Sequence, residues 1–271
     1  MRSNIDPLEA YSDSNSPAKD VWGESNNTLQ PDCEHTWYNR RPFNVMLSYL
    51  NRNHNETLLD VGCGGVGANI KYAEKERMLP YACDVVEREM GNIPFEVCPL
   101  NNWKRFRPFS DISFDAITMT FVLEHCPNPL ELLTNVVECG NDDTVYLLSV
   151  PNDFNKIQKK WLSVKGMYDR DAPWYCPPTH FHYFNPDSFT ELTKSAGLKP
   201  LSMFCNFPLD LMLLAEDTDY YENSAHGHIA GKIASRFSSI LTDAEYEELG
   251  QTFFKIGVGR HLHGVFKKDT N

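Results

Sequence analysis

Two groups of residues in this chain of 271 have types and spacing suited to chemistry: a glycine-rich turn flanked by acids, and a set of paired histidines. Residues 57–67 read Thr-Leu-Leu-Asp-Val-Gly-Cys-Gly-Gly-Val-Gly. Leu58, Leu59 and Val61 predict the end of a buried strand. Gly62, Gly64 and Gly67, with Cys63 inside the turn, then fit the G-x-G-x-x-G spacing of a nucleotide-binding strand–turn–helix. Glycine there permits positive φ and a close approach of backbone to ligand. The helix expected from about 68 to 77 would aim its free N–H groups at that ligand. Asp60, just before the turn, is placed to brace the backbone amides of the loop. Asp84 closes the next expected strand, 80–84, where an acid accepts hydrogen bonds from ribose hydroxyls. Dinucleotide enzymes use nearly the same turn, so this pattern alone leaves two classes of cofactor open.

The histidines offer a base. Histidine is the natural proton acceptor near neutral pH, and His125, His180 and His182 are the candidates. His180 and His182 follow a Pro-rich stretch and should stand at a pocket rim; His125 heads a helix after the fourth strand. Six of the nine histidines fall in His-x-His pairs, 180/182, 226/228 and 261/263. On a strand such a pair shares one face and can offer two metal ligands. No third ligand stands at a helpful spacing, and Asp210, Glu216 and Asp217 are nonspecific, so the sequence predicts no metal site. Trp161, Trp174, Tyr175, Phe181 and Tyr183 form an aromatic stretch that either packs a lid or offers flat faces to an acceptor.

These groups must be positioned by an alternating series of elements. A helix is expected within 33–50, from Trp37, Phe43, Met46 and Leu50. Strands are expected at 57–61, 80–84, 95–98, 114–122, 144–150 and 199–205. Helices at 68–77, 129–139 and 186–196 fall between them. Such alternation implies a Rossmann-like, doubly wound and mostly parallel sheet. The last run, 261–268, has no helix after it and should close the sheet edge in an antiparallel sense. Residues 1–30, rich in Ser, Asn, Asp and Pro, read as a loose arm before a single domain over 31–271. Two segments fall outside the alternation, 152–180 and 206–253. They are too long for plain loops and read as helical and loop insertions forming a lid.

Composition narrows the classes. A formal net charge of −12 disfavours a grip on nucleic acid phosphates. No apolar run approaches a membrane span. Eight cysteines without a C-x-x-C pair, most of them inside apolar runs, point to thiols in a reducing, cytoplasmic setting.

Asp60-Val-Gly-Cys-Gly, Asp84 and the run Phe114 to Pro129 closely resemble the class I S-adenosylmethionine-dependent methyltransferases. Within these the chain looks like the small-molecule subgroup that includes the ubiquinone O-methyltransferases. Leu123-Glu-His-Cys-Pro-Asn-Pro129 matches a stretch found there after the fourth strand, and Pro177 to Phe189 resembles the segment before that subgroup's last helix. Residues 206–268, with Phe207-Pro-Leu-Asp-Leu and Ile256-Gly-Val-Gly-Arg260, also resemble methyltransferases found among bacterial surface-polysaccharide genes. The resemblance implies S-adenosyl-L-methionine as cofactor, its methionine part on the glycine turn and its ribose on Asp84. Thr120 and Phe121 would face it across the cleft. The family usually places an acid after the third strand for the adenine amino group; this chain has Asn101 and Asn102 there. The expected acceptor is a small molecule, methylated at a hydroxyl of a sugar or sugar nucleotide, or on a phenolic ring. Two other readings use the same turn: an NAD-dependent oxidoreductase, for which no Tyr-x-x-x-Lys pair is present, and a cofactor-binding scaffold without turnover.

Overall fold

The structure, a computed structural model, describes residues 36–52, 55–98 and 107–270, except the side chains of 36–39, 224, 225 and 228. The expected arm at 1–30 and the adenine-contact candidate Asn101 lie outside the described residues.

Helix α1 (Thr36–Ser48) leads into β1 (Thr57–Val61), α2 (Ala68–Lys75), β2 (Leu79–Asp84) and β3 (Phe95–Val97). After β4 (Phe114–Thr120) come α3 (Pro129–Glu138), β5 (Gly140–Pro151), α4 (Lys156–Lys165), α5 (Pro186–Ser195) and β6 (Leu198–Cys205). Helices α6 (Ser224–Ser239) and α7 (Asp243–Ile256) precede the final strand, β7 (His261–Lys268). The strands form one sheet in the order β3-β2-β1-β4-β5-β7-β6. Strands β1 to β5 pair in parallel, while β7 runs antiparallel to both β5 and β6.

Period-two patterning explains why both faces are covered. Leu59, Ile117, Tyr146 and Leu148 point into a core with α3 and α5 residues such as Leu132, Val136 and Phe189. Their neighbours Leu58, Ala116, Val145 and Leu147 point the other way, against Phe43 and Met46 of α1, Tyr72 of α2 and Tyr246 of α7. Strands with two apolar faces must be sandwiched between helices. The helix starts are written locally. Asn128, Asn155, Asn185 and Thr242 each accept a backbone N–H from the first turn of α3, α4, α5 and α7.

The C-terminal strand is antiparallel as expected, but it stands one place in from the edge, and β6 is the outermost strand. Pro200 in β6 donates no ladder hydrogen bond, and the register shifts between Pro200 and Ser202. Both features suit an edge strand. Strand β7, with Leu262, Val265 and Phe266 fully buried, takes the covered position.

The two insertions are ordered and pack on each other. Trp161, Leu162, Ala172 and Trp174 of the first join Leu213, Tyr220 and Tyr221 of the second in a satellite core. The Trp161 indole N–H donates to Asp219 at 2.6 Å. No described helix is long and apolar enough to cross a membrane, and every described cysteine is a free thiol.

Helix α7 approaches β6 closely at Gly250. A Cβ there would stand 2.6 Å from the Cys205 carbonyl oxygen and 3.0 Å from the Phe204 Cβ. Backbone cannot yield cheaply, so Gly250→Ala is expected to destabilise the fold by about 1–3 kcal/mol. Thermal or denaturant unfolding measures it, and an unchanged midpoint would show that α7 does not sit this tightly on β6.

Candidate active site

The carboxyl ends of β1, β2, β4 and β5 meet at one edge of the sheet, the edge at which open α/β sheets bind ligands. The glycine turn leaves β1 there. Gly62 has φ of +70°, and a Cβ on it would lie 2.5 Å from Val122 Cγ2. The Gly62 and Cys63 amides both donate to the Cys83 carbonyl, at 2.9 and 3.2 Å. Gly64 and Gly65 also have positive φ, yet a Cβ on either would meet nothing within 4 Å. These two residues therefore present bare backbone to open space, the surface a ligand can approach. Gly67 closes the turn with its N–H on the Gly65 carbonyl at 2.7 Å and leads into α2. Burial pushes the Cys63 thiol up to about 12, so it adds no charge to the cradle at neutral pH.

Asp84 lies buried at the tip of β2, against the turn. Its Oδ2 accepts from the Gly64 amide at 2.7 Å, and Arg88 Nε stands 3.6 Å from the same oxygen. The structure thus brings Asp84, the glycines, Thr120 and Phe121 to one edge. Phe121 takes a positive φ of 56° as the chain leaves β4, and its N–H donates to the Ser149 carbonyl at 2.9 Å.

Asp60 differs from expectation. Its Oδ1 accepts from Thr118 Oγ1 at 2.6 Å and from Asn69 Nδ2 at 3.0 Å, not from loop amides. The cause is register: Asp60 faces Thr118 across the β1–β4 ladder, so its side chain points beneath the turn and not into it. Asn69 also donates to Thr120 Oγ1 at 3.2 Å. Burial pushes the Asp60 carboxyl up to about 6, against the pull of the Thr118 and Asn69 hydrogen bonds and with a small push from Asp84.

A second group of polar residues stands on the same edge. A short helical turn, Leu123–His125, follows β4. The Phe181 amide donates to the Glu124 carbonyl at 2.8 Å, which ties the end of the first insertion to that turn. His125 Nδ1 bonds the Thr179 carbonyl at 2.7 Å, and the His125 and His180 rings meet edge to face at 4.7 Å. His180 Nδ1 lies 3.9 Å from Asp153 Oδ2. Arg260 reaches both Asp153, at 3.6 Å, and the fully buried Asp210, at 3.5 Å. Asp210 also accepts from Asn155 Nδ2 at 2.7 Å and from the Tyr220 hydroxyl. Desolvation dominates the acidities. It pushes Glu124 up to about 8 and Asp153 up to about 6, and it lowers His125. His180 falls to about 4 through burial first and then the nearby His125 and Arg260.

Of the three candidate bases, His125 and His180 come together. His182 turns aside to the Pro127 carbonyl at 3.4 Å. Among the described residues, the other paired histidines join no ligand set. His261 bonds Asn206 at 2.8 Å and His263 bonds Ser149 at 2.8 Å, both inside the sheet. His226 bonds the Asp219 carbonyl, and the His228 side chain lies outside the described residues. Trp161 and Trp174 are buried packing residues, whereas Tyr175 and Phe181 stay 41% and 39% exposed.

Sequence reasoning missed Asp153, Arg260 and Asn69 as site residues. Asp153 was within reach of it, because it follows a parallel strand at the carboxyl edge. Arg260 was hidden by strand direction. Only because β7 runs antiparallel between β5 and β6 do its first residues lie beside the last of β5, with the Asn152 amide donating to the Arg260 carbonyl at 3.0 Å.

Comparison with known proteins agrees with this geometry. Residues 34–203, well over half of the chain, match the family described as methyltransferase domain. No curated protein matches the chain in sequence. Among solved structures, a SAM-dependent methyltransferase from Archaeoglobus fulgidus is similar at a TM-score of 0.52 and 14% identity, over 88% of this chain and 96% of that one. The plantazolicin methyltransferase BamL, solved with a triazolic desmethylPZN analog and SAH, is similar at a TM-score of 0.54 and 14% identity, over 97% and 94% of the two chains. A methyltransferase from Haloferax volcanii in complex with the Trm112 activator reaches a TM-score of 0.51 at 12% identity, over 86% and 90%. At such identities the likeness is one of fold. The chain belongs to the methyltransferase-domain family and is a class I, S-adenosylmethionine-dependent methyltransferase. The oxidoreductase reading falls with that assignment.

The buried Asp60 supplies a pH test. Its carboxyl shifts from 3.8 to about 6 on folding, so between those values the folded chain holds a proton that the unfolded chain has lost. Wild-type stability therefore falls as pH rises through that window. The Asp60→Asn variant escapes this penalty, so its stability relative to wild type should improve by up to about 2–3 kcal/mol from pH ~4 to ~6. A constant difference across the window would show that Asp60 titrates normally.

Proposed function

We propose that this methyltransferase acts on an oxygen of a small acceptor, a hydroxyl of a sugar or sugar nucleotide in the first place and a phenolic ring in the second. The observation that carries the reading is the His180–Asp153 pair, buried at the same sheet edge as the glycine turn. His180 Nδ1 makes no hydrogen bond and burial keeps the ring neutral, so it can take up a proton, while Asp153 Oδ1 is paired with Arg260 at 3.6 Å. An amine or carbon acceptor would have less need of such a pair. Exposed Tyr175 and Phe181 supply flat faces beside it, and rings of sugars and phenols stack on such faces.

The residues divide the work. Gly62, Cys63, Gly64 and Gly67 hold the methionine part of the donor, Asp84 holds its ribose, and Thr120 and Phe121 line the opposite wall. Asp60 acts on the donor only through the shape it gives the turn. When bound, S-adenosylmethionine supplies a methyl group made electrophilic by its sulfonium. Holding the acceptor in line can contribute on the order of 7–11 kcal/mol of the barrier. Uptake of the hydroxyl proton by the His180–Asp153 pair adds about 10²- to 10⁴-fold. His125, fixed by Thr179, orients His180, and His182 shapes the loop.

S-adenosylhomocysteine should raise the melting temperature and NAD should not, since a ligand selective for the folded state stabilises it. Asp84→Ala should weaken that binding at least about tenfold, a loss of roughly 1.4 kcal/mol; full affinity would remove the ribose assignment. His180→Ala and Asp153→Asn should bind S-adenosylhomocysteine normally while kcat drops about 10²- to 10⁴-fold. Full rates in both would place the proton acceptor elsewhere. Binding of the donor with no product from any hydroxyl acceptor would favour the scaffold reading.

A further inference from the structure

The short turn after β4 and the end of the first insertion bring three potential ligand atoms together. One carboxylate oxygen of Glu124 and one ring nitrogen each of His125 and His180 all lie within 4.8 Å of one another. His125 Nε2 is 3.9 Å from Glu124 Oε1. From these positions we infer that Glu124, His125 and His180 form a site for one divalent transition-metal ion of the zinc class, whose open positions take an oxygen of the acceptor.

Three features favour a cation over a simple polar contact. Glu124 is 1% exposed, yet its Oε2 has no hydrogen-bond partner among the described residues. A buried carboxylate left unpaired is costly, and the one arginine of this wall, Arg260, is engaged by Asp153 and Asp210. The imidazoles are also prepared as ligands. The Thr179 carbonyl can only accept, so His125 carries its proton on Nδ1 and keeps the lone pair on Nε2, the nitrogen facing Glu124. Asp153 Oδ2 stands 3.9 Å from His180 Nδ1, beyond a hydrogen bond but on the side where a carboxylate would orient a ligating ring. Partners of this kind, a carboxylate and a backbone carbonyl behind ligating histidines, orient metal ligands in many sites.

Ligand type and geometry then choose the ion. Two nitrogens and one carboxylate suit zinc, iron, cobalt or manganese, while magnesium and calcium prefer oxygen throughout. Ligands about 2.0–2.1 Å from a tetrahedral ion stand about 3.3 Å apart. The 3.9 Å between His125 and Glu124, and separations of up to 4.8 Å within the trio, would close by movement of all three side chains toward the ion. Three protein ligands leave the remaining position open, as in catalytic and not structural sites. The side chains of His125 and His180 are 19% and 10% exposed, so the open position is reachable from the cleft. With the ion bound, His180 is a ligand and does not also accept the acceptor's proton, a task the ion takes over by making a bound hydroxyl more acidic. The inference rests on the methyl-transfer reading only for the identity of the last ligand, and the ion itself is tested with neither donor nor acceptor.

The test uses the full chain, stripped with EDTA and titrated with zinc chloride, then with cobalt chloride. One zinc per chain should bind and raise the melting temperature, and cobalt should give visible d–d bands with a fixed stoichiometry. Glu124→Gln, which keeps the shape of the side chain, and His180→Ala should abolish the bands. Asp153→Asn should weaken zinc about 10- to 100-fold. His226→Ala, on the far insertion, should change nothing and so separates this site from adventitious surface binding. Less than about a tenth of a zinc per chain, or full binding by the folded Glu124→Gln variant, overturns the inference. S-adenosylhomocysteine binding is measured in parallel. If it persists without zinc uptake, the ion site alone is lost. If zinc binds and S-adenosylhomocysteine does not, the methyl-transfer reading alone is lost.

Discussion

Asp60 is a carboxyl group with almost no access to water, held where three elements meet. Thr118 reaches it from the neighbouring strand and Asn69 from the first turn of α2, while Asn69 also holds Thr120 at the end of β4. An acid so placed is costly unless its hydrogen bonds are kept, so β1, β4 and α2 are pinned together just below the turn. The turn's shape follows. With its base fixed, the chain must reverse immediately, and Gly62 does so at positive φ under Val122. The Gly62 and Cys63 amides then fall on one carbonyl of β2, and the Gly64 amide falls on Asp84. The cradle is thus shaped from beneath, by a residue that faces away from it.

The opposite wall obeys a different rule. The glycine-turn side is made of backbone amides, bare glycine and one acid. The other side gathers Asp153 and Asp210 around the Arg260 guanidinium, with Glu124 buried nearby. Burial makes such charges expensive, and Arg260 offsets Asp153 and Asp210 only in part. Several atoms make no hydrogen bond, including Glu124 Oε2 and His180 Nδ1, while Asp153 Oδ1 and Arg260 Nη1 have only a 3.6 Å ion pair. Buried polar groups are usually satisfied, so a cluster left open in this way marks a surface completed by something that binds. Such strain against local rules is what functional sites impose on otherwise consistent sequences.

The sheet was largely legible because its signals are local. Alternating Leu58–Leu59 and Ala116–Ile117 report two buried faces, and Asn128, Asn155, Asn185 and Thr242 mark helix starts within a few residues. The glycine turn and Asp84 were legible for the same reason, since one strand–turn–helix contains the whole motif. What escaped is what only topology brings together. Asp60 could not be placed without the β1–β4 register that sets it against Thr118. Pro200 hinted that β6 was an edge strand, but nothing short-range said that β7 would slip inside it. The grouping of Glu124 and His125 with His180 joins residues 55 positions apart. Its only sequence trace was that both segments carry histidine.

These two logics explain how one fold can keep its donor and vary its acceptor. The insertions make their own core, with Trp161, Trp174 and Tyr221 in mutual ring contact and Asp219 holding the Trp161 indole. That core is remote from the Asp60 contacts and shares no residue with them. Changes in this core therefore act without moving the glycine turn, since substitutions with no shared partners act nearly independently. Arg260 is the exception. It is anchored in the sheet through Asn152 yet paired with Asp210 from the second insertion. Arg260 thus ties the second insertion to the sheet, so a change at this one residue reaches both.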